Sequence, residues 1–216
     1  MARIVIFANG ELPNAAAALS LVQPLDTVVC ANGGTRQALA LGLKPQVIIG
    51  DLDSMDPAEH QSALAFGALV QQHPHDKDET DLELAIRYAV SRSPSSILIV
   101  AGLGRRLDQT IGNIALLTGP DLADFDVRLD DGVEQVLFCR GQAELRGSPG
   151  DIVSLIPWGA DAQGVRTHGL RWVLNSETLY ADKTRGISNE MLETKANVSI
   201  SAGLLLVIHR RRSQSM

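Results

Sequence analysis

The chain has 216 residues, of which 45% are hydrophobic and 20% charged, enough to bury one large core or two small ones. A formal net charge of −6 speaks against nucleic acid or an anionic membrane as the main partner, because these select clustered Lys and Arg. The one basic run, Arg210, Arg211 and Arg212, sits at the C-terminal end and reads as a solubilising tail.

Residues 3–8, 27–31, 46–49, 68–71 and 97–101 are short β-branched or apolar runs, and helical patterns separate them at residues 13–22, 34–41, 81–90 and 107–117. Strict alternation of this kind predicts a mostly parallel, Rossmann-like sheet with helices on both faces. The pattern after residue 80 is the clearest: Leu82, Ala85, Ile86 and Ala89 form one apolar stripe at helical spacing, and Thr80 with Glu83 reads as a capping box. After about Pro120 the pattern changes to short runs broken by turn signals such as Asp131-Gly132, Trp158-Gly159 and Gly203. No amphipathic helix is legible there. Residues 198–201 alternate apolar and polar and residues 203–208 are continuously apolar, so an all-β sandwich or barrel is expected over roughly residues 126–212. The expected division is an α/β domain over residues 1–124 and a β-sandwich over residues 125–216. Cys30 and Cys139 lie far apart with no Cys/His partners, which suggests neither a disulfide framework nor a zinc site. The apolar run within residues 1–9 is about six long, too short for a signal peptide or a membrane span, so a cytoplasmic enzyme is the expectation.

In an open α/β sheet, ligands bind beyond the carboxyl ends of the strands. Four of those loops carry unusual residues. Asn32-Gly33-Gly34 opens a helix whose N-terminus suits phosphate, although a Gly pair is also an ordinary tight turn. Gly50-Asp51-Leu52-Asp53-Ser54 places two carboxylates where they can share a hard cation such as Mg²⁺; the plainer reading is a helix cap. The loop at residues 76–81 holds Asp76, Asp78, Glu79 and Asp81 against one Lys77. Each close like-charge pair costs on the order of a few kcal/mol at an effective dielectric of about 20, so a cation is expected nearby. The helix dipole accounts for one or two of these acids and not for the set. Gly102-Leu103-Gly104-Arg105-Arg106-Leu107-Asp108-Gln109 combines glycines that can cradle phosphate with arginines that neutralise it, and Asp108 and Gln109 begin the next helix. All four loops fall on one edge of one sheet. A carboxylate-held metal beside Gly/Arg loops describes nucleotide phosphate chemistry, yet there is neither a GxxxxGK[ST] loop nor a GxGxxG after the first strand.

Taken in order, the segments at residues 31–34, 50–54, 76–81 and 102–109 resemble the catalytic motifs of the thiamine pyrophosphokinase family, and residues 168–174 and 186–190 resemble its second domain. The resemblance implies an α/β domain that binds ATP and Mg²⁺, a β-sandwich that helps bind thiamine, and a homodimer with the active site at the subunit interface. On the matching positions it makes Asp51, Asp53 and Asp78 the Mg²⁺ ligands, with Asp81 in support. Asn32, Gly33, Gly34, Asp51, Lys77, Thr80, Gly102, Gly104 and Arg106 then lie near the nucleotide. Trp172 stacks on thiamine, while Ser188, Asn189, Asp108 and Gln109 contact its polar edge or charged ring. An exposed aromatic suits a flat cation; from the sequence alone, Trp172 reads equally well as sandwich core. Two positions depart from the family pattern: Asn32 stands where Asp is common, and Arg105 where Gly is usual. The implied reaction is attack of the thiamine hydroxyl on the β-phosphorus of ATP with departure of AMP. Rival readings are a pyrophosphokinase for another heterocyclic alcohol such as a hydroxymethyl pterin, a phosphatase using Asp51 as nucleophile, and a non-catalytic thiamine- or nucleotide-binding module.

Overall fold

The computed structural model describes residues 2–212; Met1 and residues 213–216, at the outer ends of the two expected domains, lie outside the described residues. The chain divides after Gly132 into two compact units.

The first unit contains strands β1 (Ile4–Phe7), β2 (Thr27–Ala31), β3 (Val47–Gly50), β4 (Leu69–Gln72), β5 (Ile97–Val100) and β6 (Val127–Asp130). Between them run helices α1 (Ala15–Ser20), α2 (Gly34–Ala40), α3 (Pro57–Ala65), α4 (Asp81–Ser91) and α5 (Leu107–Leu116), then a short 3₁₀ turn at Pro120–Leu122. All strand pairings are parallel, in the order β4-β3-β2-β1-β5-β6. Successive strand residues face opposite sides, and both sides are filled. Val5, Phe7, Val28, Cys30 and Ile48 form one cluster with Ala18, Ala38 and Ala63 from α1, α2 and α3. Ile4, Ile6, Val29 and Ile49 are also buried, and α4 packs against β1, β2 and β3. This double burial explains why the strands read as continuous apolar runs. Because β6 pairs with β5, the unit continues beyond residue 124, where the sequence reading placed the domain division, as far as Gly132.

The stripe of Leu82, Ala85, Ile86 and Ala89 is buried as expected, together with Leu84. Only half of the expected capping box forms. Thr80 Oγ1 accepts from the Glu83 N–H at 3.2 Å, but the Glu83 carboxylate pairs with Arg87 one turn on instead of reaching back. Helix α3 has no counterpart among the helices expected from periodicity. Among its residues only Ala63 is buried, so it has no apolar stripe; its real signal is the cap, where Asp56 and Glu59 form a full capping box around Pro57.

The second unit is a pair of antiparallel sheets. One contains β7 (Glu134–Cys139), β9 (Ile152–Pro157), β12 (Asn189–Glu190) and β14 (Leu205–Arg210), ordered β12-β9-β14-β7. The other contains β8 (Gln142–Arg146), β10 (Ala162–His168), β11 (Asn175–Leu179) and β13 (Lys195–Ser199), ordered β11-β10-β13-β8. Leu137, Val153, Leu155, Leu205 and Val207 from the first sheet meet Leu145, Val165, Leu179, Ala196 and Val198 from the second in one core. Alternate residues of β9 are buried, the pattern of a half-covered strand, whereas the central β14 is apolar throughout its first four residues. Among the described residues no helix is long and apolar enough to cross a membrane.

Candidate active site

The strand order of the first unit reverses between β1 and β5, and the crevice of such a sheet opens at that point. The two segments leaving these strands are tied together by backbone hydrogen bonds. Ala8 N–H donates to the Val100 carbonyl at 2.9 Å, Gly10 N–H to Ala101 at 2.6 Å and Glu11 N–H to Leu103 at 2.8 Å. They border a cleft of about 430 Å³ whose lining includes Asn9, Gly10, Asn32, Gly33, Lys77, Thr80. Asp81, Gly102, Gly104, Arg105, Arg106 and Gln109 line it as well. Most residues expected near a nucleotide therefore share one cavity.

Gly34 does not line the cleft. A Cβ there would collide with the Phe7 carbonyl oxygen, so glycine lets the start of α2 approach β1. At the far loop Gly104 has φ +80° and Arg105 φ +59°. Arg105 thus holds the left-handed conformation that glycine favours, which accounts for the glycine usual at this position. Its guanidinium points toward Asn9 Oδ1 at 3.5 Å. Asn32 (φ +44°), Leu52 (φ +68°) and Ala101 (φ +55°) hold the same conformation in the neighbouring loops.

The centre of the charge cluster is Asn32, 5% exposed. Its Nδ2 donates to Asp51 Oδ1 at 2.7 Å, Asp53 Oδ1 at 3.0 Å and Asp81 Oδ2 at 3.0 Å. Three carboxylates thereby converge on one neutral amide. Lys77 adds a cation, with Nζ 3.1 Å from Asp81 and 3.5 Å from Asp51. Burial pulls the Lys77 ammonium down, but the bond to Asp81 and the charges of Asp81 and Asp51 outweigh it, and the group is held above its ordinary value. The hydrogen bond from the Asn32 amide, helped by that from the Ser54 hydroxyl, lowers Asp53 to about 2, so this carboxylate is ionised at neutral pH. Asn32 Oδ1 is buried and accepts no hydrogen bond, whereas Asp81 Oδ1, also buried, faces the Lys77 ammonium at 3.1 Å.

Asp51 and Asp53 meet the requirements of a hard cation: converging oxygens, one of them on a half-exposed side chain that leaves room for water and substrate oxygens. Asp78 is exposed and does not belong to the group of Asp51, Asp53 and His75 whose donor atoms lie within 4.8 Å of one another. Asp81, expected only in support, shares the Asn32 amide with the pair and the Lys77 ammonium with Asp51. Arg106 and Asp108 are joined to each other, with Nε to Oδ1 at 3.1 Å and a second nitrogen to Oδ2 at 2.5 Å. That bond pushes the Arg106 guanidinium up and holds Asp108 down. Thr80 is engaged as the cap of α4.

In the second unit Trp172 is 56% exposed and therefore does not belong to the sandwich core. The Arg171 guanidinium lies 5.2 Å from its ring centroid. Asn189 is buried and its amide is committed to the Trp172 backbone: Oδ1 accepts the Trp172 N–H at 3.0 Å and Nδ2 donates to the Trp172 carbonyl at 2.7 Å. Asn189 thus fixes the tryptophan, a role that residue type alone does not reveal. Ser188, exposed and at φ +61°, donates its N–H to Ser154 Oγ at 3.1 Å. The sequence motifs do not include Asn9, Gly10 or Asn113, which also line the cleft. Only the strand order shows that the loop after β1 borders it.

Comparison with known proteins agrees along the chain. The family model described as thiamin pyrophosphokinase, catalytic domain, matches residues 18–137, and the vitamin B1 binding domain of the same family matches residues 142–205. A thiamine pyrophosphokinase of Bacillus subtilis (strain 168) is 28% identical over 177 residues, covering 81% of this chain and 83% of that protein. Thiamine pyrophosphokinase 1 of Oryza sativa subsp. japonica is 27% identical over 207 residues, 85% of this chain and 78% of the relative. The crystal structure of thiamine pyrophosphokinase from Bacillus subtilis matches with a TM-score of 0.87 at 26% identity, over 97% of this chain and 99% of that one. The yeast enzyme, at 15% identity and a TM-score of 0.73 over 97% and 86%, shares the fold.

Proposed function

This chain belongs to the thiamin pyrophosphokinase family, and from that premise we propose that it transfers the pyrophosphoryl group of ATP to thiamine, yielding thiamine diphosphate and AMP. The observation that carries the reading is the convergence of Asp51, Asp53 and Asp81 on Asn32 beside a cleft lined by glycine and arginine loops.

In the reaction the thiamine hydroxyl oxygen forms a bond to the β-phosphorus while the bond from that phosphorus to the α–β bridging oxygen breaks. The bridging oxygen leaves with AMP, and the hydroxyl proton passes to a carboxylate or water. Such a step needs positioning and charge neutralisation more than a strong base. Mg²⁺, when bound, neutralises charge on the phosphate oxygens. Asp51 and Asp53 would hold it. The third carboxylate is Asp78 by motif and Asp81 by contact. Lys77 already faces Asp51 and Asp81 and can turn its ammonium to phosphate oxygens. The backbone of Asn32, Gly33, Gly102 and Gly104 offers a close approach to the nucleotide, with Gly34 setting the helix behind it, Thr80 at the head of α4 and Arg106 neutralising phosphate.

For thiamine we propose Trp172 as the stacking surface, held by Asn189, with Ser188, Asp108 and Gln109 toward polar groups. Exposure of the Trp172 ring supports this, since a flat cationic heterocycle gains from an open aromatic face. We further propose a cytoplasmic homodimer with the active site at the subunit interface; exposed Leu107 and Ile111 on α5, and in the second unit exposed Val173, next to Trp172 in the chain, and Leu192, are apolar surface suited to a second subunit. The decisive assay is AMP release from Mg·ATP with and without thiamine, together with mass spectrometry of the product. Thiamine-dependent AMP and thiamine diphosphate are expected; AMP release indifferent to thiamine would overturn the acceptor.

A further inference from the structure

His75 stands in the acidic loop after β4, with its side chain 79% exposed. Its Nε2 lies 3.4 Å from Asp53 Oδ2, and one donor atom each of Asp51, Asp53 and His75 falls within 4.8 Å of the other two. An ion bridging the two carboxylates is therefore within reach of an imidazole nitrogen. The donors differ in kind. Carboxylate oxygens suit Mg²⁺, which keeps water and oxygen ligands, whereas imidazole is a softer donor that first-row transition cations take readily.

A second observation marks the same place as incomplete. Asn32 is 5% exposed and directs its amide nitrogen at Asp51 and Asp53, yet its Oδ1 is buried with no hydrogen-bond partner. Buried oxygens of this kind cost free energy unless something satisfies them. We propose that His75 is a nitrogen ligand of the Asp51–Asp53 cation site, engaged by first-row transition cations such as Co²⁺ or Mn²⁺ and left unused by Mg²⁺. The site then has two modes: an all-oxygen mode for Mg²⁺ and a mixed nitrogen–oxygen mode for a transition ion. Because His75 is on the surface, its ring can turn onto an ion without disturbing the core, and the remaining coordination positions stay open to water or substrate oxygens. The inference rests on the reading of Asp51 and Asp53 as cation ligands. The bland alternative, a surface ion pair between His75 and Asp53, makes no distinction between metals.

The test is calorimetric titration of the full chain with Mg²⁺ alone and with Co²⁺ alone, without nucleotide, for the parent, His75→Gln and Asp53→Asn. Co²⁺ adds a visible absorption band that responds to nitrogen ligation. In His75→Gln the affinity for Co²⁺ is expected to fall at least about tenfold, the loss that even an outer-shell partner can cause. The band should shift, while the affinity for Mg²⁺ changes less than about twofold. An equal loss for both ions, or an unchanged Co²⁺ affinity and band, overturns the role of His75 and leaves the ion pair. Asp53→Asn should weaken both ions. If it weakens neither, or if the parent binds neither, the carboxylate reading fails and this inference falls with it.

Discussion

Each unit holds carboxylate in a network of donors, and the two do so in opposite ways. Asp151, 3% exposed in the β unit, is filled by the protein itself: Oδ1 takes the Arg212 N–H at 2.8 Å, and Oδ2 takes the Ser148 N–H at 2.9 Å and His209 Nε2 at 2.9 Å. Burial pushes its acidity down, but the Arg212 and Ser148 amides and His209 outweigh burial and hold the carboxyl below its ordinary range. In the α/β unit Asp51, Asp53 and Asp81 share one amide, Asp51 and Asp81 share one ammonium, and among the described residues the only further hydrogen bonds are local ones, from the Asp53 N–H to Asp51 and from the Ser54 hydroxyl to Asp53. A carboxylate with a full set of donors is a fixture of the fold. Carboxylates that share their main donors, one of them on a half-exposed side chain, have capacity left for an ion.

The largest effect should come from emptying the shared site. Asp51→Ala or Asp53→Ala is expected to slow AMP formation by roughly 10²–10³, the scale of removing one preorganised charge-stabilising group. Melting should change little for Asp53, whose side chain is half exposed. A variant that turns over at the parent rate in saturating Mg²⁺ would remove the distinction between the two carboxylate sites. Asp151→Ala should do the reverse. Breaking a buried pair costs about 3–5 kcal/mol, read as a lower urea midpoint, with turnover per folded molecule retained. The sign with pH follows from the depressed acidity of Asp151. Its contribution is fully present above the unfolded value of about 3.9 and is lost as pH falls through the lower folded value. Asp151→Asn should flatten the acid limb of Tm against pH.

A smaller effect sharpens the comparison within the catalytic loop. Asp81→Ala is expected to reduce turnover about ten- to a hundredfold and to exceed Asp78→Ala, because Asp81 touches Asn32 and Lys77. The opposite ranking would make Asp78 the third ligand, as the motif suggests. Least of all, Trp172→Ala should raise the KM for thiamine about tenfold, equivalent to ~1–2 kcal/mol of stacking and cation–π attraction, and leave the KM for ATP unchanged.

The parts of the molecule legible in the sequence were those set by periodicity and by local chemistry. The buried strands β1, β2, β3 and β5 and the stripe of α4 announce themselves because each lies against a covered face. Helix α3 lies largely at the surface, so its apolar pattern is faint and only its cap identifies it. The loops of the candidate site were found from charge and glycine, but Asn9 and Gly10 were not, since their place depends on β5 lying beside β1, a long-range pairing. Partner choice is equally hidden: Glu83 prefers Arg87 to Thr80, and Asn189 holds a backbone, because competition among neighbours decides each case.

The left-handed residues at the carboxyl edge carry a consequence for heat resistance. Asn32, Leu52, Ala101 and Arg105 each hold an angle that costs an L-residue about 1–2 kcal/mol relative to glycine. A search for thermostable variants that scores folding alone would convert these positions to glycine early, Leu52 and Ala101 before the others. It would thereby strip side chains from the loops that border the cleft and the charge cluster, so selection for melting temperature without selection for turnover should drift toward stable, inactive protein.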